Sequence, residues 1–215
     1  MPTELPTEPR SLGMFPLSVV LYPHTGIPLQ VFEPRYVELL SHCLEGDRQF
    51  GVVLITRGSE VGGGDQRVGV GTVVRIVEVT PLPDHRFAVL AEGLHRLRVV
   101  EWLDDDPYPR ALIEELPADS SIGDHHCLAT AEGSVRRLRS LLSEMDRAPA
   151  LPHDLDFGTT TDEIAWRLCA SAPLNALDAQ QLLAIDDPQA RVELLIQLSD
   201  AMSGDVAAML AGGAG

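Results

Sequence analysis

Residues 15–36 read FPLSVVLYPHTGIPLQVFEPRY, and this stretch decides the fold. Two short apolar runs rich in β-branched residues, Leu17–Tyr22 and Ile27–Phe32, flank the turn residues Pro23–Gly26. This pattern predicts a strand, a turn and a second strand. Pro28 has no N–H group, so the second strand is expected to pair on one side only, as an edge strand does.

A helix is predicted to begin directly after this pair of strands. Glu33 precedes Pro34, and proline fits the first position of a helix while glutamate suits its positive end. The apolar residues that follow then recur near helical spacing as far as Leu44. The opening stretch therefore predicts a helix near residues 36–45.

The chain from Phe50 to Leu116 has the alternating pattern of strands. Residues 57–67, which include Gly62, Gly63 and Gly64, form a predicted loop long enough to contact a partner. Several short strands with one early helix predict a small closed or half-closed barrel. The predicted strands are Phe50–Thr56, Gly71–Thr80, Arg86–Ala91, Leu94–Trp102 and Arg110–Leu116.

The pattern changes to helical spacing after Pro117. The segment Cys127–Met145 has an apolar stripe, and Thr160–Glu163 fits a capping box. Further helices are predicted near residues 178–185 and from Pro188 onward. We therefore expect a β-barrel subdomain over residues 12–117 and a helical subdomain over residues 124–210. On the long helix, Arg136, Arg137 and Arg139 are expected to lie outside the apolar stripe.

The opening stretch resembles the start of the amino-terminal substrate-binding domain of Lon-type proteases, whose pattern runs roughly FPL-x-x-VLFPG-x-x-lPLhIFE-x-RY. The resemblance covers about residues 12–200; it departs at Tyr22, where Phe is usual, and at His24–Gly26. It implies an α+β fold, a PUA-like β pseudo-barrel followed by a carboxyl-terminal helical bundle. Further matching segments follow in the family's order: Phe50–Val53, Val68–Thr72, Glu92–Val99, Pro107–Ala111, Asp162–Ala165 and Gln180–Asp186.

The chain is acidic and contains no lysine. Its 32 acidic residues stand against 16 arginines, and the formal net charge of −16 is spread over both halves. Such a surface repels phosphate backbones and anionic membranes, so we expect no nucleic-acid or membrane partner. Without lysine there is no Walker A loop and no Ser-Lys dyad. Neither the ATPase nor the protease half of a Lon enzyme is expected, and no enzymatic activity is predicted.

The cysteines and the amino-terminal residues bear on the compartment. Cys43, Cys127 and Cys169 are widely spaced and odd in number, which favours reduced and buried thiols. The first residues lack the pattern of a signal peptide, and no apolar run approaches the roughly 20 residues that span a bilayer. A cytoplasmic protein is therefore expected.

Short motifs that suggest a metal or cofactor are incomplete. Gly69–Val74 lacks the third glycine of a dinucleotide fingerprint. His125–Cys127 offers adjacent ligands without a second cluster, and Asp104–Asp106 lacks the spacing of a calcium loop. We predict neither a cofactor nor a metal. For Arg96 and Arg98 we predict solvent-exposed ion pairs along one face of the strand, and not an anion-binding site.

The candidate partner-binding residues are Phe32, Arg35 and Tyr36, together with Gly62, Gly63 and Gly64 of the glycine-rich loop. An aromatic side chain beside arginine has the composition of an interface anchor. The alternative is structural: Glu33 caps the helix, Arg35 forms a surface ion pair and Tyr36 fills the space between barrel and helix.

Two classes of function remain open at this point. The resemblance implies a non-catalytic protein-binding module that recognises unfolded or client polypeptides or acts as an adaptor. The alternative is a PUA-like protein that binds nucleic acid or a nucleotide, which the net charge disfavours. The oligomeric state is not predicted.

Overall fold

The computed structural model describes residues 8–57, 66–117, 122 and 125–212. The chain divides into two compact units, Met1–Ala118 and Asp119–Gly215. The first is rich in strands and the second is helical, so the predicted α+β class with carboxyl-terminal helices is confirmed. The finer assignment of residues 12–117 and 124–210 as subdomains stays a prediction.

The first unit contains a mixed sheet and a helix. The helix α1, Pro34–Glu45, begins at the predicted proline. The strands are β1 (Arg10–Leu17), β2 (Gly26–Val31), β3 (Gln49–Arg57), β4 (Gln66–Leu82), β5 (Arg86–Leu103) and β6 (Arg110–Glu115).

The long strand β5 closes the sheet into a barrel. Its first half pairs with β2, its second half pairs with β6, and β4 runs along its other side. Strand β1 pairs in parallel with β3 and antiparallel with β6. The ring β1–β3–β4–β5–β6 is therefore continuous, and β2 lies beside it as an edge strand. Sequence reasoning divided β5 into two strands at Gly93, where the register shifts by a bulge.

The predicted opening hairpin is wrong. The first strand is Arg10–Leu17 and pairs with β3 and β6, whereas β2 pairs with β5. Residues 18–25 are a loop held by isolated hydrogen bonds, including Thr72 Oγ1 to Leu21 O at 2.5 Å and His24 N to Gly93 O at 2.8 Å. Leu21 and Tyr22 are buried by packing without strand pairing, and apolar loop residues give the same sequence pattern as a strand.

Gly93 permits the close approach of that loop to β5. A Cβ atom at this position would lie 2.2 Å from the carbonyl oxygen of Tyr22, which is well inside van der Waals contact. Thr25 O also accepts a hydrogen bond from Gly93 N at 2.9 Å. A side chain at position 93 would therefore displace the loop from the strand.

Successive residues of the strands supply two core clusters in the first unit. Residues from all five ring strands fill the barrel interior. Alternate residues on the other face, such as Phe15, pack against α1. Strand alternation explains this division, because neighbouring side chains point to opposite faces. The interior cluster consists of Leu12, Met14, Val53, Val73, Leu97, Ala111 and Ile113.

The second unit contains α2 (His125–Glu144), α3 (Thr161–Ser171), α4 (Ala176–Ala184) and α5 (Pro188–Gly212). The predicted capping box is present at α3: Thr160 Oγ1 accepts from Glu163 N at 3.2 Å, and the Glu163 carboxylate accepts from Thr159 N at 3.0 Å. These contacts satisfy backbone N–H groups that a helix start leaves unpaired.

Helix α5 is long and apolar enough, by length and composition, to cross a membrane. Core helices of globular proteins meet the same criterion. Val206 of α5 packs with Leu138 and Leu142 of α2 in a buried cluster, and α5 also carries Asp200 and Asp205. Only 22% of that apolar stretch is buried, so α5 packs along one side.

Arginines of the second unit bind backbone carbonyl oxygens. Arg191 is fully buried, donates to Leu182 O and Ile185 O at 3.1 and 2.6 Å, and lies 3.8 Å above the Trp166 ring. It therefore satisfies carbonyl groups at the end of α4. Arg139, which was expected to lie outside the stripe, is half-buried and donates to Ser171 O at 2.8 Å. Arg136 likewise donates to Pro152 O at 2.7 Å, and Arg137 is exposed as expected.

Candidate functional site

The candidate residues lie where β2 ends and α1 begins, at a corner formed by residues 32–36 that we call the β2–α1 corner. Phe32 follows the last residue of β2 and is 53% exposed. Glu33 occupies the N-cap position of α1, and its carbonyl oxygen accepts from Tyr36 N and Val37 N. The chain turn therefore places an aromatic side chain on the surface directly before a helix start.

Arg35 lies on the same corner and is fixed by two contacts. Its Nε donates to Glu33 Oε2 at 3.1 Å, and its guanidinium carbon lies 4.5 Å from the centre of the Tyr36 ring. The Glu33 carboxylate thus pairs with Arg35 and forms no capping hydrogen bond to the described backbone. Together these contacts restrict the guanidinium.

Tyr36 lies beneath this pair and is only 4% exposed. Its ring stacks on Phe15 with centroids 4.1 Å apart, and Phe50 contacts Phe15 from another side at 6.0 Å. The burial of Tyr36 agrees with the structural alternative. Its ring supports the Arg35 guanidinium from within the core, and its predicted contact with a partner stays a prediction. The exposed residues of the corner are Phe32 and Pro34, and Arg35 is half-buried.

The core around Tyr36 contains a small apolar cavity of about 10 Å³. This volume is close to the minimum for a single water molecule. The cavity therefore offers no room for a small-molecule ligand. Its lining residues are Phe15, Leu29, Val31, Tyr36, Leu39, Leu40, Cys43, Phe50, Ile76 and Val89.

The glycine-rich loop and two arginines of β5 were also considered in the sequence analysis. Gly62, Gly63 and Gly64 lie outside the described residues, so their predicted contact role stays a prediction. Arg96 is 4% exposed, which contradicts the solvent-exposed ion pairs predicted for it, while Arg98 is exposed. Simple alternation failed there because β5 is covered on both sides at Arg96 and Leu97.

A polar network that the sequence did not reveal lies across β1, β3, β5 and β6. Arg10 Nε donates to Glu115 Oε1 at 2.6 Å, and Arg10 also donates to Gln49 Oε1 at 2.8 Å. His95 Nε2 lies 2.9 Å from the other oxygen of Glu115. Burial lowers the pKa of His95, although the charge and the hydrogen bond of Glu115 oppose that change. The network ties four strands of the barrel together through partly buried polar side chains.

The cysteines show no sign of a reactive centre. Cys43, Cys127 and Cys169 are free and buried. Burial, with a smaller contribution from Asp47, raises the pKa of Cys43 to about 12. A thiol with such a pKa is protonated at neutral pH and is a poor nucleophile. Within the described residues, no group of three or more His, Cys, Asp or Glu side chains is arranged to hold a metal ion.

The fold defines the chain as an α+β domain, a closed five-strand barrel followed by a helical unit. Residues 11–200 match the family described as the ATP-dependent protease La (LON) substrate-binding domain. The chain belongs to this family, as the opening stretch indicated. The match is to the substrate-binding domain and not to the protease domain, which supports a protein-binding module.

The match covers about a quarter of each of the following two Lon proteases. The chain is 31% identical over 196 residues to Lon protease 2 of Sorangium cellulosum, covering 87% of this chain and 24% of that protein. It is 29% identical over 190 residues to Lon protease of Trichlorobacter lovleyi, covering 86% and 23%. The chain thus spans about a quarter of the length of these relatives.

Two solved structures support the fold. The Lon N-terminal domain protein from Xanthomonas campestris is similar with a TM-score of 0.64 and 28% identity, covering 87% of this chain and 98% of that one. The N-terminal domain of a Mycobacterium avium complex Lon protease has a TM-score of 0.60 at 14% identity, covering 88% and 98%. The second likeness concerns the fold alone.

Proposed function

We propose that the protein is a non-catalytic recognition module that binds unfolded or client polypeptides, for degradation or as an adaptor. The observation that carries this proposal is the match of residues 11–200 to a substrate-binding domain. The lysine-free sequence adds to it, because neither a Walker A loop nor a Ser-Lys dyad can be assembled from this chain.

The β2–α1 corner is the proposed place of contact. Phe32 is exposed, and Arg35, three residues further along the chain, is held by Glu33 and by the ring of Tyr36. An exposed aromatic close in sequence to a restricted guanidinium is the composition that interfaces favour. The net charge of −16 favours basic or unfolded chains over acidic ones. Buried free thiols suit a reducing compartment, so we also propose a cytoplasmic location.

Binding to a permanently unfolded model protein, measured by fluorescence anisotropy, tests this function. We expect wild-type protein to bind the unfolded form and not its folded counterpart. Phe32→Ala and Arg35→Ala should each weaken binding about tenfold, a difference of about 1.4 kcal/mol, without lowering the melting temperature. Val100→Ala is the matched control, because Val100 is 49% exposed and lies far along β5 from the corner.

Two results would contradict the proposal. Equal binding of folded and unfolded forms would remove the client-recognition role. Tight binding of a random oligonucleotide that weakens steeply with salt would favour the nucleic-acid alternative, since salt sensitivity is the signature of phosphate contacts. If unfolded protein binds but both corner variants behave as wild type, the contact lies elsewhere on the chain.

A further inference from the structure

The strands β2, β5 and β4 pack one face against α1, and their opposite face, which we call the outer face, carries an exposed apolar row. The register places Leu90 of β5 beside Pro28 of β2 on one side and beside Glu78 of β4 on the other. Val77 lies next to Glu78 at a bulge in β4. Leu90 and Val77 are 42% and 51% exposed, and Pro28 is exposed as well. We call Pro28, Leu90 and Val77 the apolar row.

The bulge explains why the sequence did not reveal this row. Strict alternation groups Val77 with Val73 and Val79, of which Val73 is fully buried. The extra residue between Ile76 and Glu78 in the β4–β5 register leaves both Val77 and Glu78 exposed. A bulge re-aims side chains in this way, and exposed apolar residues on three adjacent strands form a continuous patch.

The backbone of β2 disfavours one mode of binding to this part of the sheet. Thr25 O accepts from Gly93 N, so residues 25, 27, 29 and 31 direct their backbone groups toward β5. Residues 26, 28 and 30 then direct theirs to the side of β2 that has no strand partner among the described residues. Pro28 lies in the middle of that side and has no N–H to donate. A client adding as an extra strand would lose its central hydrogen bond there.

The charged side chains around the apolar row bear on whether a polypeptide client or a second copy of this chain binds there. Glu78 and Glu92 are the acidic groups nearest Leu90, and the Glu78 carboxylate accepts a long 3.5 Å hydrogen bond from Thr80. Arg75 lies directly opposite Glu92 in the register and offsets its charge, whereas Glu78 lies opposite Leu90 and not opposite an arginine. Arg86 is bound to Pro83 O near the end of the face. A second copy of this chain would bring another net charge of −16 to the contact.

We infer that the outer face of β2, β5 and β4 binds an extended polypeptide segment whose apolar side chains alternate with basic ones. The apolar side chains contact Leu90 and Val77, and a basic one reaches Glu78. Contact is made by side chains on the face and not by strand addition at β2. This inference rests on the proposed function and names the client chemistry and a surface that continues from the β2–α1 corner.

The test uses the full-length protein and three labelled 12-residue peptides in fluorescence anisotropy. One alternates leucine with arginine, one alternates leucine with glutamate, and one alternates serine with arginine. We expect the Leu/Arg peptide to bind at least about tenfold more tightly than either of the others. Alternate backbone N-methylation of the Leu/Arg peptide should leave its affinity within about twofold, because strand addition requires those N–H groups.

Variants then locate the contact. Val77→Thr combined with Leu90→Thr places a β-branched polar residue, which suits a strand, at both positions and should weaken Leu/Arg binding about tenfold. Glu78→Gln should lower the preference for the Leu/Arg over the Leu/Glu peptide. Val100→Thr is the matched control, since it is an equally exposed valine at the other end of β5, and it should bind as wild type.

Several results would overturn the inference. They are equal binding of the Leu/Arg and Leu/Glu peptides, unchanged binding by the Val77 and Leu90 double variant, and loss of binding on N-methylation. A concentration-dependent dimer that the double variant abolishes would assign the face to a second copy. If unfolded proteins bind wild type and the double variant alike, this inference fails while the proposed function stands. If wild type binds no unfolded protein, the proposed function itself fails.

Discussion

Replacement of Tyr36 by alanine separates a core role from a contact role at the β2–α1 corner. The side chain is 4% exposed, stacks on Phe15 at 4.1 Å and supports the Arg35 guanidinium at 4.5 Å. Truncating a buried aromatic side chain to alanine costs about 3–5 kcal/mol. We therefore expect Tyr36→Ala to lose about 4 kcal/mol of unfolding free energy. For a chain of this size that loss corresponds to a fall of about 10 °C in melting temperature.

Urea and thermal unfolding followed by circular dichroism measure this loss. Phe32→Ala is the matched control: its side chain is 53% exposed, and we expect a change within about 1 kcal/mol. Tyr36→Phe keeps the ring stack and should retain most of the stability. If Tyr36→Ala unfolds at the same urea concentration as wild type, the stacked arrangement described here does not stabilise the barrel, and the division of the corner into support and surface is wrong.

Three further predictions concern buried groups. Gly93→Ala places a Cβ atom against the Tyr22 carbonyl oxygen, so we expect a loss of about 1–3 kcal/mol in urea unfolding, with wild-type stability contradicting the close approach. Arg191→Met leaves the Leu182 carbonyl without its donor and should destabilise the chain by about 3 kcal/mol, whereas an unchanged midpoint would mean that the buried guanidinium adds nothing. Burial lowers the pKa of His95 below 6.5, so the unfolded chain binds a proton before the folded chain does. Stability should therefore be full above pH 6.5 and fall as the pH drops below it, and His95→Gln should flatten the slope between pH 7 and pH 6.

Local chemistry determined the elements that the sequence predicted well. Pro34 marks the start of α1, and Thr160 with Glu163 marks the start of α3, because both positions satisfy requirements of a helix end within a few residues. Pro28 predicted an edge strand, since its missing N–H group restricts pairing regardless of the rest of the fold.

Features that depend on distant parts of the chain were not predictable in this way. Residues 18–25 carry strand-like apolar residues but are buried by contact with β4 and β5, which no local pattern encodes. Arg191 was not recognised as a core residue, because the carbonyl oxygens that stabilise it belong to another helix. At the candidate site, the exposure of Phe32 and the ion pair of Arg35 agree with the sequence reasoning, whereas the burial of Tyr36 depends on Phe15 from β1.

The position of β1 in the ring has a consequence for synthesis of the chain. Arg10 of β1 is paired with Ile113 of β6, so the barrel cannot close until almost all of the first unit has been translated. At about 5–20 residues per second this interval lasts roughly 5–20 s. Until then Leu12 lacks its β6 partner Ala111, and β1 has only β3 as a strand neighbour. The β4–β5 hairpin joins adjacent parts of the chain and is expected to form earlier, because local contacts require less loop closure. The first strand to be translated is therefore among the last to be enclosed, and during this interval it is exposed to the chaperones of the cell.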